Sequence, residues 1–271
     1  VGVGSLGTHV VNELLTQKIS LKILIRDDTK PAFATFKENG ATIVKVDYSD
    51  EKELKKALTG VEVVMSVIGQ LGLGAQVPIA KVAKAAGVQL FVRAEYGISI
   101  NEGFTRHKKD VHDALKEIDL PYAVFYTGMF AESFHGLVGW DYANGKMRIV
   151  GTGDLPLSMT SRWDIARFVA HALTTAEPSD LEWAKTPIEG DRKTHKEIAA
   201  IAEKKFGKPI TIEYVDVEET RKEFNTNIVA FFTIVIADGN AVSDPEADVK
   251  AATAKFYPDW NPTPLDEFIT I

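Results

Sequence analysis

Through its first 125 residues the chain alternates short apolar runs rich in β-branched residues with stretches whose apolar positions recur every three or four places. LKILIR at 21–26, ATIVKVD at 41–47, VEVVMSVIG at 61–69, VQLFVRA at 88–94 and YAVFYTG at 122–128 predict strands. VEVVMSVIG is almost continuously apolar, the pattern of a strand covered on both faces. Between these runs, PAFATFKENG (31–40), SDEKELKKALTG (49–60), PIAKVAKAAG (78–87) and FTRHKKDVHDALKEI (104–118) predict helices. The second of them takes Ser49 or Asp50 as its N-cap and ends at Gly60. Strand–helix alternation of this regularity predicts a parallel sheet with helices on both faces.

Past residue 130 the rhythm breaks. DYANGKMRIVG carries an Asn144-Gly145 hairpin signal, SRWDIARFVAHALTT (161–175) and THKEIAAIAEKKFG (194–207) read as helices, and ITIEYVD (210–216) reads as a strand. The remaining 217–271 mixes helix and loop, with prolines at 245, 258, 262 and 264. The expected organisation is a larger α/β domain over 1–155, to which the chain returns near 160–190, and a smaller α+β substrate-binding lobe over 156–271.

Composition narrows the function. A net charge of −7 argues against a nucleic-acid binder or a binder of anionic membranes, both of which need a basic face. With no cysteine the chain forms no disulfide, thiolate nucleophile or thiolate metal site, which fits a reducing compartment and a cytoplasmic protein. Its six histidines have no ligand spacing, so no metal is expected. The longest apolar run, IVAFFTIVIA at 228–237, falls short of the about 20 residues a membrane span requires. A chain beginning VGVG without methionine is expected to have lost residues ahead of Val1, the last position of a first strand.

Gly2-x-Gly4-x-x-Gly7 opens the helical stretch THVVNELL, whose apolar positions 10, 11, 14 and 15 have helical spacing. This is the form of a dinucleotide turn. One glycine makes the tight bend, one lets backbone amides approach a pyrophosphate, and one lets helix and strand pack closely. Ser5 and Leu6 would add amides at the helix N-terminus. An NAD-selective site usually ends its second strand in an acid, about 20 residues past the glycines, where this chain has Arg26. A guanidinium there suits a 2′-phosphate, with Lys30 or Lys37 as a second charge, although Asp27 and Asp28 weaken the local field. The expected cofactor is therefore NADPH (NADP+), bound by a Rossmann-type, doubly wound parallel sheet.

For proton chemistry beside a nicotinamide, the pairs Tyr48/Lys52 and Tyr142/Lys146 have a usable Tyr-x-x-x-Lys spacing but the wrong places, too early in the sheet and across a hairpin turn. Lys108 is better placed. Phe104, Val111, Leu115 and Ile118 mark the buried stripe of its helix, Lys108 falls at the stripe's edge, and Lys109 faces solvent. An edge lysine can lay its stem harmlessly along the core, or it can bring a partly desolvated ammonium to a cleft as an acid or base.

The chain resembles the isoflavone reductase and phenylcoumaran benzylic ether reductase group within the NmrA-like atypical short-chain dehydrogenases. The resemblance rests on the glycine turn, the strand-end arginine, LFVRAEYG (90–97), KKDVHDALKEIDLPYAVF, IVGTGDLPLSMTSRWDIA and KFYPDWNPTPLDEFI, in that order, with a family region of about 1–225. It implies an NADPH-dependent reductase of a small aromatic or conjugated substrate, with Lys108 as the catalytic lysine and cofactor contact and Gln76 as a polar residue near the cofactor. Tyr96, Phe130, Gly151 and Gly153 are the substrate residues implied, together with the apolar 228–236 segment. The chain departs from the family pattern at Ala94, Tyr96 and His112, which stand where a serine, a phenylalanine and often an arginine would be. Tyr96 either caps a strand end or lends its phenol to the pocket, and His112 is expected to be an exposed helix residue. The alternative function is an NADP(H)-sensing regulator without catalysis, a class that typically lacks the lysine. A homodimer is compatible with all of this.

Overall fold

The computed structural model describes residues 1–27, 29–100 and 102–271, the side chains of Gln70 and Leu71 apart. The chain runs through α1 (Ser5–Thr16), β1 (Lys22–Ile25), α2 (Ala32–Glu38), β2 (Thr42–Lys45), α3 (Glu51–Leu58) and β3 (Val63–Met65). It continues with α4 (Gln76–Ala85), β4 (Leu90–Val92), α5 (His107–Glu117), β5 (Tyr122–Tyr126), β6 (Met129–Phe130) and α6 (Ala131–Leu137). Next come β7 (Lys146–Val150), β8 (Pro156–Thr160), α7 (Arg162–Thr175), α8 (Pro178–Leu181), β9 (Lys185–Pro187) and β10 (Asp191–Thr194). The last elements are α9 (His195–Phe206), β11 (Thr211–Val215), α10 (Val217–Arg221), α11 (Ile228–Ala237) and α12 (Glu246–Phe256).

Contacts divide the chain into two compact units. The first comprises Val1–Glu95, His107–Phe125 and Ile165–Thr186, the second Tyr96–Arg106, Tyr126–Asp164 and Pro187–Ile271. The first unit takes the chain back at 165–186, within the expected return near 160–190, while 126–155 and 96–106 fold with the second unit.

In the first unit β1 and β2 pair in parallel, and β3, β4, β5 and β9 form a second sheet in that order, with β3–β4 and β4–β5 parallel. Every residue of β4 and β5 is buried, as apolar strands beneath helices on both faces must be. Asp50 supplies the α3 cap, its carboxylate accepting from the Lys52 and Glu53 amides at 3.0 Å, so the choice between Ser49 and Asp50 falls to the aspartate. VEVVMSVIG departs from the expected strand covered on both faces. Its strand is three residues long and Val63 is 41% exposed, and on the edge of β3 away from β4 Val1 supplies the pairing found among the described residues. Val1 donates to the Met65 carbonyl at 2.6 Å and accepts from the Val67 amide at 2.8 Å, a parallel pairing centred on Ser66.

In the second unit β8 lies between antiparallel β10 and parallel β6, and β7 pairs in parallel with β11. The Asn144-Gly145 turn is present, but its antiparallel ladder is one bridge, Asp141 to Lys146. The strand leaving it takes β11 as partner, so a distant segment displaces the local hairpin. Trp140, Tyr142, Met147, Ile149, Leu157, Phe231, Val235 and Ile236 form the core of this unit. The 228–236 segment belongs to helix α11, most of whose residues pack into this core. Among the described residues no helix is long and apolar enough to cross a membrane.

Candidate active site

The three glycines of the opening turn occupy three different environments. Gly2 has φ +88°, and a Cβ there would lie 2.8 Å from the Val67 carbonyl oxygen at the end of β3. A Cβ on Gly7 would lie 2.5 Å from the Gly2 carbonyl oxygen, so only hydrogen lets α1 sit against the turn. At Gly4 a Cβ would meet nothing within 4 Å. Gly4 is also the α1 N-cap, with no capping side chain and no acid in the first turn. The amides of Ser5 and Leu6 belong to this first turn, which presents an uncapped positive helix end and open space in front of it. The arrangement can take a phosphate.

Cationic groups border the turn. Lys30 reaches back to the Val3 carbonyl at 3.0 Å, inside the glycine turn itself. Arg26, exposed at the end of β1, places its guanidinium 5.7 Å from the centroid of the Tyr48 ring. Burial pushes the Tyr48 phenol up to about 12, and its hydroxyl donates to the Leu24 carbonyl, so the ring is a fixed platform for the arginine. Asp27 is turned into its own loop, accepting from the Thr29 amide and hydroxyl at 3.0 Å, while Asp28 lies outside the described residues. Lys37 is exposed in the last turn of α2.

At the carboxyl end of β4 the structure assembles a group that the sequence pattern did not show as a unit. Gln76 is fully buried, and its side-chain oxygen accepts from the Ala94 amide at 2.7 Å. This anchors the strand end on which Arg93 and Glu95 project. Lys108 is 7% exposed at the start of α5. Its ammonium donates to the Glu95 main-chain carbonyl at 2.9 Å and stands 2.9 Å from the Glu95 carboxylate. The other carboxylate oxygen is 2.9 Å from Arg93, whose guanidinium also donates to the Lys108 carbonyl at 3.0 Å. Lys109 is exposed and pairs with Asp113, as the stripe predicts. Arg93 and Glu95 were legible only as two charges at the end of an otherwise apolar strand, a place where side chains meet ligands in parallel sheets.

A family model described as the NmrA-like family matches residues 2–269. The chain belongs to this family. The match runs to the end of the quoted KFYPDWNPTPLDEFI stretch at 269, past the family region of about 1–225. Among curated relatives, the isoflavone reductase homolog IRL of Zea mays is 28% identical, over 99% of this chain and 95% of its own length. Among solved structures, isoflavone reductase superposes with a TM-score of 0.85 at 22% identity, covering 98% of this chain and 95% of the other. The binary complex of leucoanthocyanidin reductase with NADPH from Vitis vinifera gives 0.82 at 20% identity over the same shares. These likenesses establish a Rossmann-type fold for this NmrA-like chain.

The four residues implied for substrate all fall in the second unit, in separate settings. Tyr96 has φ +34° and a buried hydroxyl without a partner among the described residues, and burial raises its phenol. Phe130 lies beneath the Arg162 guanidinium, 4.8 Å from its ring centroid. Gly151 and Gly153, at φ +79° and +74°, shape the turn after β7, with Ala237 and His195 respectively in contact range of an added Cβ. Gly153 and His195 line a shallow recess with Thr152, Leu155 and Ile236. His112 corrects an expectation. It is half-buried, its ring nitrogen 3.0 Å from the Tyr122 hydroxyl, and its pKa is lowered by burial and then by Arg93. The helix face that buries Val111 turns His112 toward β5.

Proposed function

We propose that this NmrA-like protein is an NADPH-dependent reductase of a small aromatic or conjugated carbonyl or ether-type substrate. The observation that carries the reading is the buried ammonium of Lys108, held at the carboxyl end of β4 in the same unit as the glycine turn. The turn fits the dinucleotide on its own geometry, because Gly4 leaves open the space a phosphate needs and Gly2 and Gly7 tolerate no side chain. The amides of Ser5, Leu6 and Gly7 would hold the pyrophosphate, and Arg26 with Lys30 would hold the 2′-phosphate. Bound NADPH supplies a hydride.

The chain's own part is orientation and a proton. Lys108 is the candidate to donate a proton to the substrate oxygen that gains negative charge, or to stabilise that charge as a fixed cation. Gln76 acts one step back, through the Ala94 amide, by fixing the strand end that faces the lysine. The names of the relatives support a reductase at the level of the family.

One observation favours a second reading, an NADP(H)-sensing protein without turnover: the Lys108 ammonium already has Glu95 on two sides. Anaerobic mixing of the protein and NADPH with a panel of enones and aryl ethers, followed by loss of nicotinamide absorbance, separates the two. Oxidation with at least one class of substrate is expected. Tight NADPH binding with no oxidation across the panel selects the sensor.

A further inference from the structure

We propose that Glu95 is the positioning residue for Lys108, and that Arg93 holds Glu95 in that role. The inference rests on the reductase reading in one respect, that Lys108 is the group whose proton matters.

Arg93, Glu95 and Lys108 are 3%, 5% and 7% exposed, so three charges are removed from water within one small region. Two cations share one carboxylate, at 2.9 Å each, and the group carries a net positive charge. Stability alone does not account for such an arrangement, because a buried ion pair is seldom more stabilising than apolar residues of the same volume, and a third charge raises the desolvation cost further. Orientation does account for it. Lys108 is gripped at both ends, its main-chain carbonyl by Arg93 and its ammonium by Glu95. The opposing strand end is pinned in turn by Gln76 through the Ala94 amide. A long, flexible side chain is thereby reduced to one placement, which is the preorganisation that proton transfer rewards.

The same geometry leaves the lysine able to react. An ammonium has three donors, and the Glu95 carbonyl takes one of them in an aligned hydrogen bond. Each carboxylate oxygen of Glu95 faces its own cation at 2.9 Å, Oε1 Lys108 and Oε2 Arg93. Arg93 draws on the same carboxylate, and the positive charge of Lys108 is therefore not fully compensated. An oxygen acquiring negative charge is the partner this surplus suits.

The test uses Glu95→Gln, which keeps shape and main-chain carbonyl but removes the charge, alone and combined with Lys108→Met. Steady-state kinetics, NADPH affinity and the rate of Lys108 acetylation by an amine-reactive reagent, read by peptide mass spectrometry, are measured together. Glu95→Gln is expected to lower kcat by ~10–100-fold with KM and NADPH Kd within about twofold, and to speed acetylation of Lys108 several-fold. Added to Lys108→Met, it costs nothing further, since a residue acting through the lysine has no effect once the lysine is gone. Additive losses in the double variant, or unchanged acetylation, overturn the proposal. If acetylation responds as expected but no form of the protein oxidises NADPH, the reductase reading fails and the positioning contact stands. Should Glu95→Gln not fold, Arg93→Gln reads the same contact in the opposite sense, leaving Glu95 to Lys108 alone and slowing acetylation; no change there overturns it.

Discussion

Gly7 stands so close to Gly2 that a Cβ on the first would come within 2.5 Å of the carbonyl oxygen of the second. The contact joins the start of α1 to the turn ahead of it, and backbone has no way to give by that much. Gly7→Ala is therefore expected to open the turn and lower NADPH affinity at least tenfold while also reducing stability. Gly4→Ala is the informative contrast, since its methyl group points into open space. It should fold with a Tm within about 3 °C of the parent and still bind NADPH poorly. Calorimetric titration and thermal unfolding of both variants check the distinction.

Arg26 rests on Tyr48 at the end of β1, beside a loop whose Lys30 bends back to the glycine turn. Charge-assisted contacts of this kind contribute about 1.5–3 kcal/mol, or roughly 10–100-fold in affinity. Arg26→Ala should weaken NADPH binding by that factor and leave NADH binding unchanged. Equal losses for both nucleotides would assign Arg26 to the turn rather than to the 2′-phosphate.

His135 and His195 are both buried edge-on against Trp140, and burial holds both near a pKa of about 4 against an ordinary 6.5. The sign follows from the depression. The unfolded chain takes up protons below pH 6.5 that the folded protein refuses until about pH 4, so stability is complete above 6.5 and declines between 6.5 and 4. Each imidazole contributes at most on the order of 3 kcal/mol to that decline. Urea unfolding at pH 7.5, 5.5 and 4.5 should show falling midpoints, with a shallower fall in His195→Gln. A parallel fall in the variant would remove His195 from the account.

The Tyr96 hydroxyl is enclosed without a partner among the described residues. Deleting it removes a desolvated polar group, so Tyr96→Phe is expected to raise Tm by ~1–3 °C and to leave kcat and KM within twofold. A tenfold loss of kcat/KM would instead bring the phenol into the substrate's surroundings.

The parts of the site that were legible in the sequence are those with local signatures. Three glycines at fixed spacing, an arginine at a strand end and a lysine at the margin of an apolar stripe each needed a short window to be read. Glu95 escaped because its partner lies 13 residues away, across a loop, and neither residue marks the other in sequence. Arg93 escaped for the same reason. In the second unit, β6 and α6 are too short to show a period, and β7 ignores its hairpin signal because β11 offers a full parallel partner. Local pattern reads well where neighbours in sequence are neighbours in space, and less well where tertiary pairing decides.

The most direct measurement of the central claim is anaerobic NADPH oxidation by the Lys108→Met variant beside the parent protein, with NADPH affinity determined for both. If Lys108 handles the proton, turnover drops by ~10²–10⁴ while NADPH Kd stays within about twofold. Equal turnover in the two proteins would contradict the account.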